Sequence, residues 1–188
     1  MSETEDGPLY RFLATRYDDS REAEALDILT RHPEIAALEW DDSAFEKLVM
    51  GSTPLHYAAN DGRIQLMARL IDLGADPNVC NAQWYATPLS WAANNARVEA
   101  IRFLLDHGTD IHGLHALHAV AWGGSSCGKS NPSGYVETIR LLLDRGADIN
   151  DVRRVGDSPL TTALKSGNDW VAEVLRERGA LEISAGSG

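Results

Sequence analysis

The sequence predicts an all-α fold, a solenoid of stacked helix-turn-helix units joined by β-turn fingers. Three observations predict it. Four short segments align in phase: TPLHYAANDG from Thr53, TPLSWAANNA from Thr87, HALHAVAWGG from His115 and SPLTTALKSG from Ser158. Each is followed by an apolar segment of helical period: IQLMARLIDLGADPN, VEAIRFLLDHGTDIH, VETIRLLLDRGADIN and WVAEVLRERGALEI. The step across the two segments is also constant, 21 residues from Thr53 to Gly74, from Thr87 to Gly108 and from Ser158 to Gly179. A fixed period joining two helical patterns marks a repeat architecture, in which no unit buries its apolar face alone.

Each element has a local cause. The start, MSETEDGP, is acidic and lacks the apolar stretch of a secretory signal. PLYRFLATRY and EALDILTRHPEI carry the two-helix pattern, with Pro33 where the later units have glycine. Residues 7–33 therefore read as a divergent N-terminal capping unit, whose outer face meets water. Residues 34–51, with Trp40 and Phe45, read as an enlarged connection holding about one helical turn. Thr53, Thr87 and Ser158 suit the N-cap, and the proline after each suits the first helical position. Leu55, Leu89, Leu117 and Leu160 then face inward, and alanine pairs such as Ala58–Ala59 and Ala92–Ala93 let helices approach closely. In the second helices Ile101, Leu104 and Leu105 recur at helical spacing, as do Ile139, Leu142 and Leu143. The glycine that follows supplies a left-handed terminus, and an Asp/Asn step opens the next turn. Glu173, Arg176, Glu177 and Arg178 make the last helix polar, ahead of a flexible SAGSG tail.

TPLHYAA with LGADPN beyond it, recurring in phase, resembles the ankyrin-repeat proteins. The resemblance covers residues 52–183 as four units: 52–85, 86–113, 114–156 and a C-terminal cap at 157–183, followed by the tail at 184–188. Residues 1–51 form the acidic N-terminus, the divergent cap and its long connection. The resemblance implies a non-enzymatic protein–protein interaction module, a scaffold or an inhibitor or immunity-type binder. It also implies a concave face built from the first helices and the turn fingers. Carried over by position, that face comprises Asn60, Asp61, Asn94, Asn95, Trp122, Lys165 and Ser166. The turn residues Gln83, Trp84 and Tyr85, and the later Arg153 and Arg154, complete it. Trp84 and Trp122 are expected to be exposed, whereas Trp91 aligns with Tyr57 and packs between helices.

One stretch argues for different chemistry. In WGGSSCGKSNPSG, Gly123, Gly128, Lys129 and Ser130 satisfy the G-x-x-x-x-G-K-[ST] pattern of a phosphate loop, and IRLLLD ends in Asp144 like a magnesium ligand. The repeat supplies a ruler: His115 to Gly146 spans 31 residues, ten more than the sister units. The stretch is thus a ten-residue insertion between two helices, expected to be loosely packed or disordered. A phosphate loop needs a strand before it and a helix springing from its Lys-Ser pair. Here HALHAVAW is in register with helices, and Asp106 repeats Asp144 without any glycine loop. A nucleotide- or anion-binding role for the Gly123–Ser130 loop remains the alternative function class, with Gly128, Lys129 and Ser130 as a weak anion site.

Composition narrows the rest. Net charge is −11, which disfavours nucleic acid and anionic membrane and favours a basic protein partner. The two cysteines, Cys80 and Cys127, are too few for a disulfide framework, so a reducing cytoplasm is expected, and the chain is expected to be a monomer. His112, His115 and His118, with Cys127 following, invite a zinc reading. His118, however, takes the histidine position of TPLH, as His56 does, and a hydrogen-bonded structural role fits better. No nucleophile–base–orienter set can be assembled, so neither catalysis nor metal nor cofactor is expected. Two irregularities mark the concave face. Ala96 stands where Gly62, Gly124 and Gly167 end the other first helices, and only seven residues separate Gly108 from His115. The finger there must be truncated, leaving a notch beside the insertion.

Overall fold

The computed structural model describes residues 7–15, 18–38, 51–112, 115–126, 132–153 and 155–185. Trp40, Phe45, Cys127, Gly128, Lys129, Ser130 and Arg154 lie outside them. Among the described residues the helices are α1 (Pro8–Ala14), α2 (Glu22–Arg31), α3 (Pro54–Asp61), α4 (Ile64–Asp72), α5 (Pro88–Asn94), α6 (Val98–Asp106), α7 (Ala116–Ser126), α8 (Pro132–Asp144), α9 (Pro159–Lys165) and α10 (Asp169–Glu177). A 3₁₀ turn, Asp19–Arg21, leads into α2, and another, Pro33–Ala37, follows it. Helices α3, α5, α7 and α9 pack side by side as one row, and α2, α4, α6, α8 and α10 as a second row behind it.

The two rows share one apolar core that runs from Phe12 to Ala180. The second row contributes Met67 and Leu70, Ile101 and Leu104, Ile139 and Leu142, and Val171 and Leu175, all buried. The inward leucines of the first row, Leu55, Leu89, Leu117 and Leu160, are buried as well. Ala58, Ala59, Ala92 and Ala93 are buried between the rows, where a larger side chain would hold the helices apart.

The helix starts follow the caps. Thr87 Oγ1 accepts the Ser90 N–H at 3.2 Å while Ser90 Oγ accepts the Thr87 N–H at 2.9 Å. Ser158 Oγ accepts the Thr161 N–H at 3.2 Å. At Thr53 the ring of His56 serves instead: the Thr53 N–H donates to Nδ1 at 3.1 Å. That bond fixes the tautomer, so Nε2–H donates to the Ala86 carbonyl at 2.9 Å, thirty residues on. His118 makes the equivalent bond to the Asp157 carbonyl at 2.9 Å. Each of these histidines ties its helix to the base of the following finger.

Asparagines tie the units edge to edge. Asn78 Oδ1 accepts the Asp110 N–H at 2.8 Å, and Asn150 Oδ1 accepts the Leu181 N–H at 2.8 Å. His112 holds the corresponding place in the unit between them. At the last described residue the Ala185 N–H donates to Asp157 Oδ1 at 3.3 Å.

The described ends of the insertion differ from expectation. They are not a loosely packed loop, because they lengthen both flanking helices. Helix α7 has 11 residues against seven in α5 and α9, and α8 has 13 against nine in α4, α6 and α10. Gly124 therefore lies inside α7 and does not end it. The added turn of α8 is anchored: Tyr135 is buried, stacks edge-on to Trp170 at 5.5 Å, and donates its hydroxyl to the Asn94 carbonyl at 2.6 Å.

Ala96 pays for its missing glycine with backbone strain. Its φ is +50°, while Gly62 and Gly167 take +79° and +68° at the same place. The left-handed conformation crowds an L side chain by about 1–2 kcal/mol, and glycine's looser unfolded state offsets part of any relief. Ala96→Gly should raise the unfolding free energy by about 0.5–1 kcal/mol, read from the urea midpoint at unchanged slope. An unchanged or lower midpoint would show that the strain is relaxed elsewhere.

Candidate functional site

The candidate site adjoins the truncated finger. The full finger between α4 and α5 is organised by Asn81, which is buried. Its backbone N–H donates to the Ala86 carbonyl at 2.9 Å, and its Oδ1 accepts the Trp84 N–H at 2.8 Å. This tight loop, with Tyr85 at φ +51°, holds Trp84 and Tyr85 out at the tip. The next finger has no room for such a loop. His115 stands where Thr53, Thr87 and Ser158 adopt extended backbone, and takes φ +59° instead. The entry to α7 at His115 is thus strained.

Beside His115, on the face of α5 and α7, lies a cavity of about 670 Å³, open to solvent. Trp84, Trp122, Trp91 and Tyr57 supply its aromatic lining. Asn60, Asn94 and Asn95 contribute its polar edge, with Ala86, Ser90, His115 and Ala119 completing the lining. The rings brace one another. Trp91 meets Tyr57 edge-on at 5.0 Å and lies 6.3 Å from Trp84, and Trp122 lies 6.1 Å from His118 and 6.5 Å from His115. Such contacts position an indole without burying it: Trp84 is 57% exposed and Trp122 42%.

Of the residues singled out from sequence, Asn60, Trp84, Asn94, Asn95 and Trp122 meet around this cavity. Asp61 adjoins it by accepting from Asn60 Nδ2 at 2.9 Å. Gln83 and Tyr85 are exposed on the finger beside it. Arg153 and Lys165 lie apart and are engaged: Arg153 Nε is 2.8 Å from Asp151 Oδ1, and Lys165 Nζ 2.7 Å from Asp157 Oδ2. The Arg153 guanidinium bonded to Asp151 holds that carboxyl below the usual range, and the Lys165 ammonium does the same for Asp157. Tyr57, Ser90, Trp91, His115 and Ala119 line the cavity but were not assigned to a binding surface from sequence. Their signal was available, since Tyr57, Trp91 and Ala119 each stand three residues before Asn60, Asn94 and Trp122, on the same helix face.

The apparent phosphate loop has another cause at its first glycine. Gly123 lies within α7, and a methyl group there would sit 1.8 Å from the Asn94 carbonyl oxygen of α5. The glycine lets two helices touch backbone to backbone. Residues Gly123–Ser126 follow a helix, not a loop that opens around an anion, and Gly128, Lys129 and Ser130 lie outside the described residues. Among the described residues no group of three His, Cys, Asp or Glu side chains could hold a metal, and no helix is long and apolar enough to cross a membrane.

A family model described as ankyrin repeats, three copies, matches residues 13–114 and again residues 55–150. No curated protein matches the chain. Ankyrin repeats are in general protein–protein interaction modules and typically have no catalysis of their own. The match reaches from the N-terminal helix pair through the insertion, over most of the chain's length, and on that ground the chain belongs to the ankyrin-repeat family.

Proposed function

We propose that the chain is a non-enzymatic binding module that docks one protein partner on its concave face, at the cavity between Trp84 and Trp122. The observation that carries this reading is the coincidence of the truncated finger with two exposed indoles and a cavity of about 670 Å³. Buried aromatic anchors dominate the energetics of interfaces, and a preformed pocket reduces the cost of ordering them. The net charge of −11 favours a basic partner and steers its approach. A small acidic module of this kind suits a cytoplasmic, monomeric scaffold, or an inhibitor of the immunity type that occludes its target.

Affinity capture from cells that naturally produce the chain tests this. The wild type and an Arg140→Ala control on the outer face of α8 should retain the same stoichiometric protein. The Trp84→Ala/Trp122→Ala double variant should bind it about 30-fold more weakly or not at all. Equal retention by all three removes the cavity as the docking site. The competing nucleotide reading predicts heat on titration with ATP–Mg²⁺ that disappears in Lys129→Ala; the docking reading predicts none.

A further inference from the structure

We propose that the cavity between Trp84 and Trp122 receives an arginine side chain of the docked protein, an assignment that rests on the docking role inferred above. The orientation of the amides along its edge carries it. Asn94 Nδ2 donates to the Ala119 carbonyl at 3.1 Å, and Asn95 Nδ2 donates to the Trp91 carbonyl at 3.2 Å. A backbone carbonyl only accepts, so neither amide can be turned end for end. Asn95 spends its second amide hydrogen on Asn60 Oδ1 at 2.7 Å. Ser90 spends its one hydroxyl hydrogen on the Thr87 carbonyl at 2.9 Å. Asn95 and Ser90 therefore have only acceptor capacity left for a guest, while Asn94 keeps its Oδ1 and one amide hydrogen.

The walls have the same sign. An indole presents a negative π face, and Trp84, Trp91 and Trp122 supply three of them. No lysine or arginine is among the described residues that line the cavity, in a chain with 28 acidic residues against 17 basic. An anionic guest would meet no lysine or arginine to balance its charge. A plain aliphatic anchor would fill the space but displace water from amide oxygens that it cannot bond. A guanidinium answers both requirements. Its planar face stacks on indole while its edge offers five N–H donors to oxygens. A lysine ammonium carries the charge but neither the plane nor the fork. The cavity is several times larger than one side chain, so the arginine enters at the head of a short segment of the partner.

A random-peptide display library selected against the full chain tests the assignment. The expected outcome is a set of peptides sharing one arginine, each losing about tenfold or more in affinity when that arginine becomes norleucine. The loss should be smaller when it becomes lysine, and the Trp122→Ala variant should abolish the preference. Selected peptides anchored by an apolar or aromatic residue without arginine, yet still lost in Trp122→Ala, would overturn the arginine assignment and leave the docking site standing. Peptides that bind Trp84→Ala/Trp122→Ala as well as the wild type, or no enrichment at all, would overturn both.

Discussion

Gly123→Ala is expected to lower the stability of the chain by about 3 kcal/mol, at the upper end of the cost of overpacking. On an open helix the same change adds about 1 kcal/mol, because alanine is the better helix former. The sign reverses here because the added methyl meets backbone. It would sit 1.8 Å from the Asn94 oxygen and 2.7 Å from its carbonyl carbon. No side-chain rotation relieves that overlap, so α7 must withdraw from α5. The withdrawal also disturbs the Tyr135 hydroxyl, which donates to the same Asn94 oxygen. For a chain of this length the melting temperature should fall by roughly 6–12 °C. A phosphate loop at this glycine would leave the stability of the ligand-free chain unchanged. Thermal unfolding of Gly123→Ala therefore distinguishes a packing glycine from a phosphate-binding one.

Acid should destabilise the chain well before its carboxylates titrate. Burial lowers the His56 imidazole to about 4, against the bond to the Ala86 carbonyl, which acts to raise it. His118 is lowered too, again chiefly by burial, opposed by the Asp157 carbonyl bond and by the carboxylates of Asp151 and Asp157. In the unfolded chain both rings take up protons near pH 6.5. The folded state keeps His56 neutral, so its contribution is complete above that pH and is lost as pH falls towards 4. From His56 alone the loss is about 2 kcal/mol by pH 5 and about 3 kcal/mol in full. The urea midpoint should drop between pH 7 and pH 5, and His56→Gln should flatten that slope. A midpoint independent of pH over this interval would mean that both rings are protonated in place without cost.

The repeat was legible because its signals are local. Thr87 with Ser90 and Ser158 with Thr161 form caps within four residues, and the leucine spacing writes the buried face directly. The notch was legible too, since a seven-residue step from Gly108 to His115 cannot hold a finger like that around Asn81. The cavity beside it was not. Trp84 belongs to one finger, Trp91 to α5 and Trp122 to α7, and only the stacking of units brings their rings around one space. The described ends of the insertion, 123–126 and 132–134, are helical where a loop was expected, for a similar reason. Glycine and serine are weak helix formers, so GGSS reads locally as loop. The helix there is carried by contacts distant in sequence, Gly123 on the Asn94 backbone and Tyr135 on the same carbonyl and on Trp170. Arg153 and Lys165 matched the concave positions, but composition could not show that Asp151 and Asp157 already engage them.

The central claim is that a protein partner enters the notch between Trp84 and Trp122. Photo-crosslinking in cells that naturally produce the chain tests it most directly, with benzoylphenylalanine placed once at position 122 and once at position 140 on the outer face of α8. The account predicts that position 122 crosslinks one protein, through a segment that carries an arginine, and that position 140 crosslinks none. A crosslink from position 140, with position 122 silent, would place the partner on the outer row of helices and contradict the account.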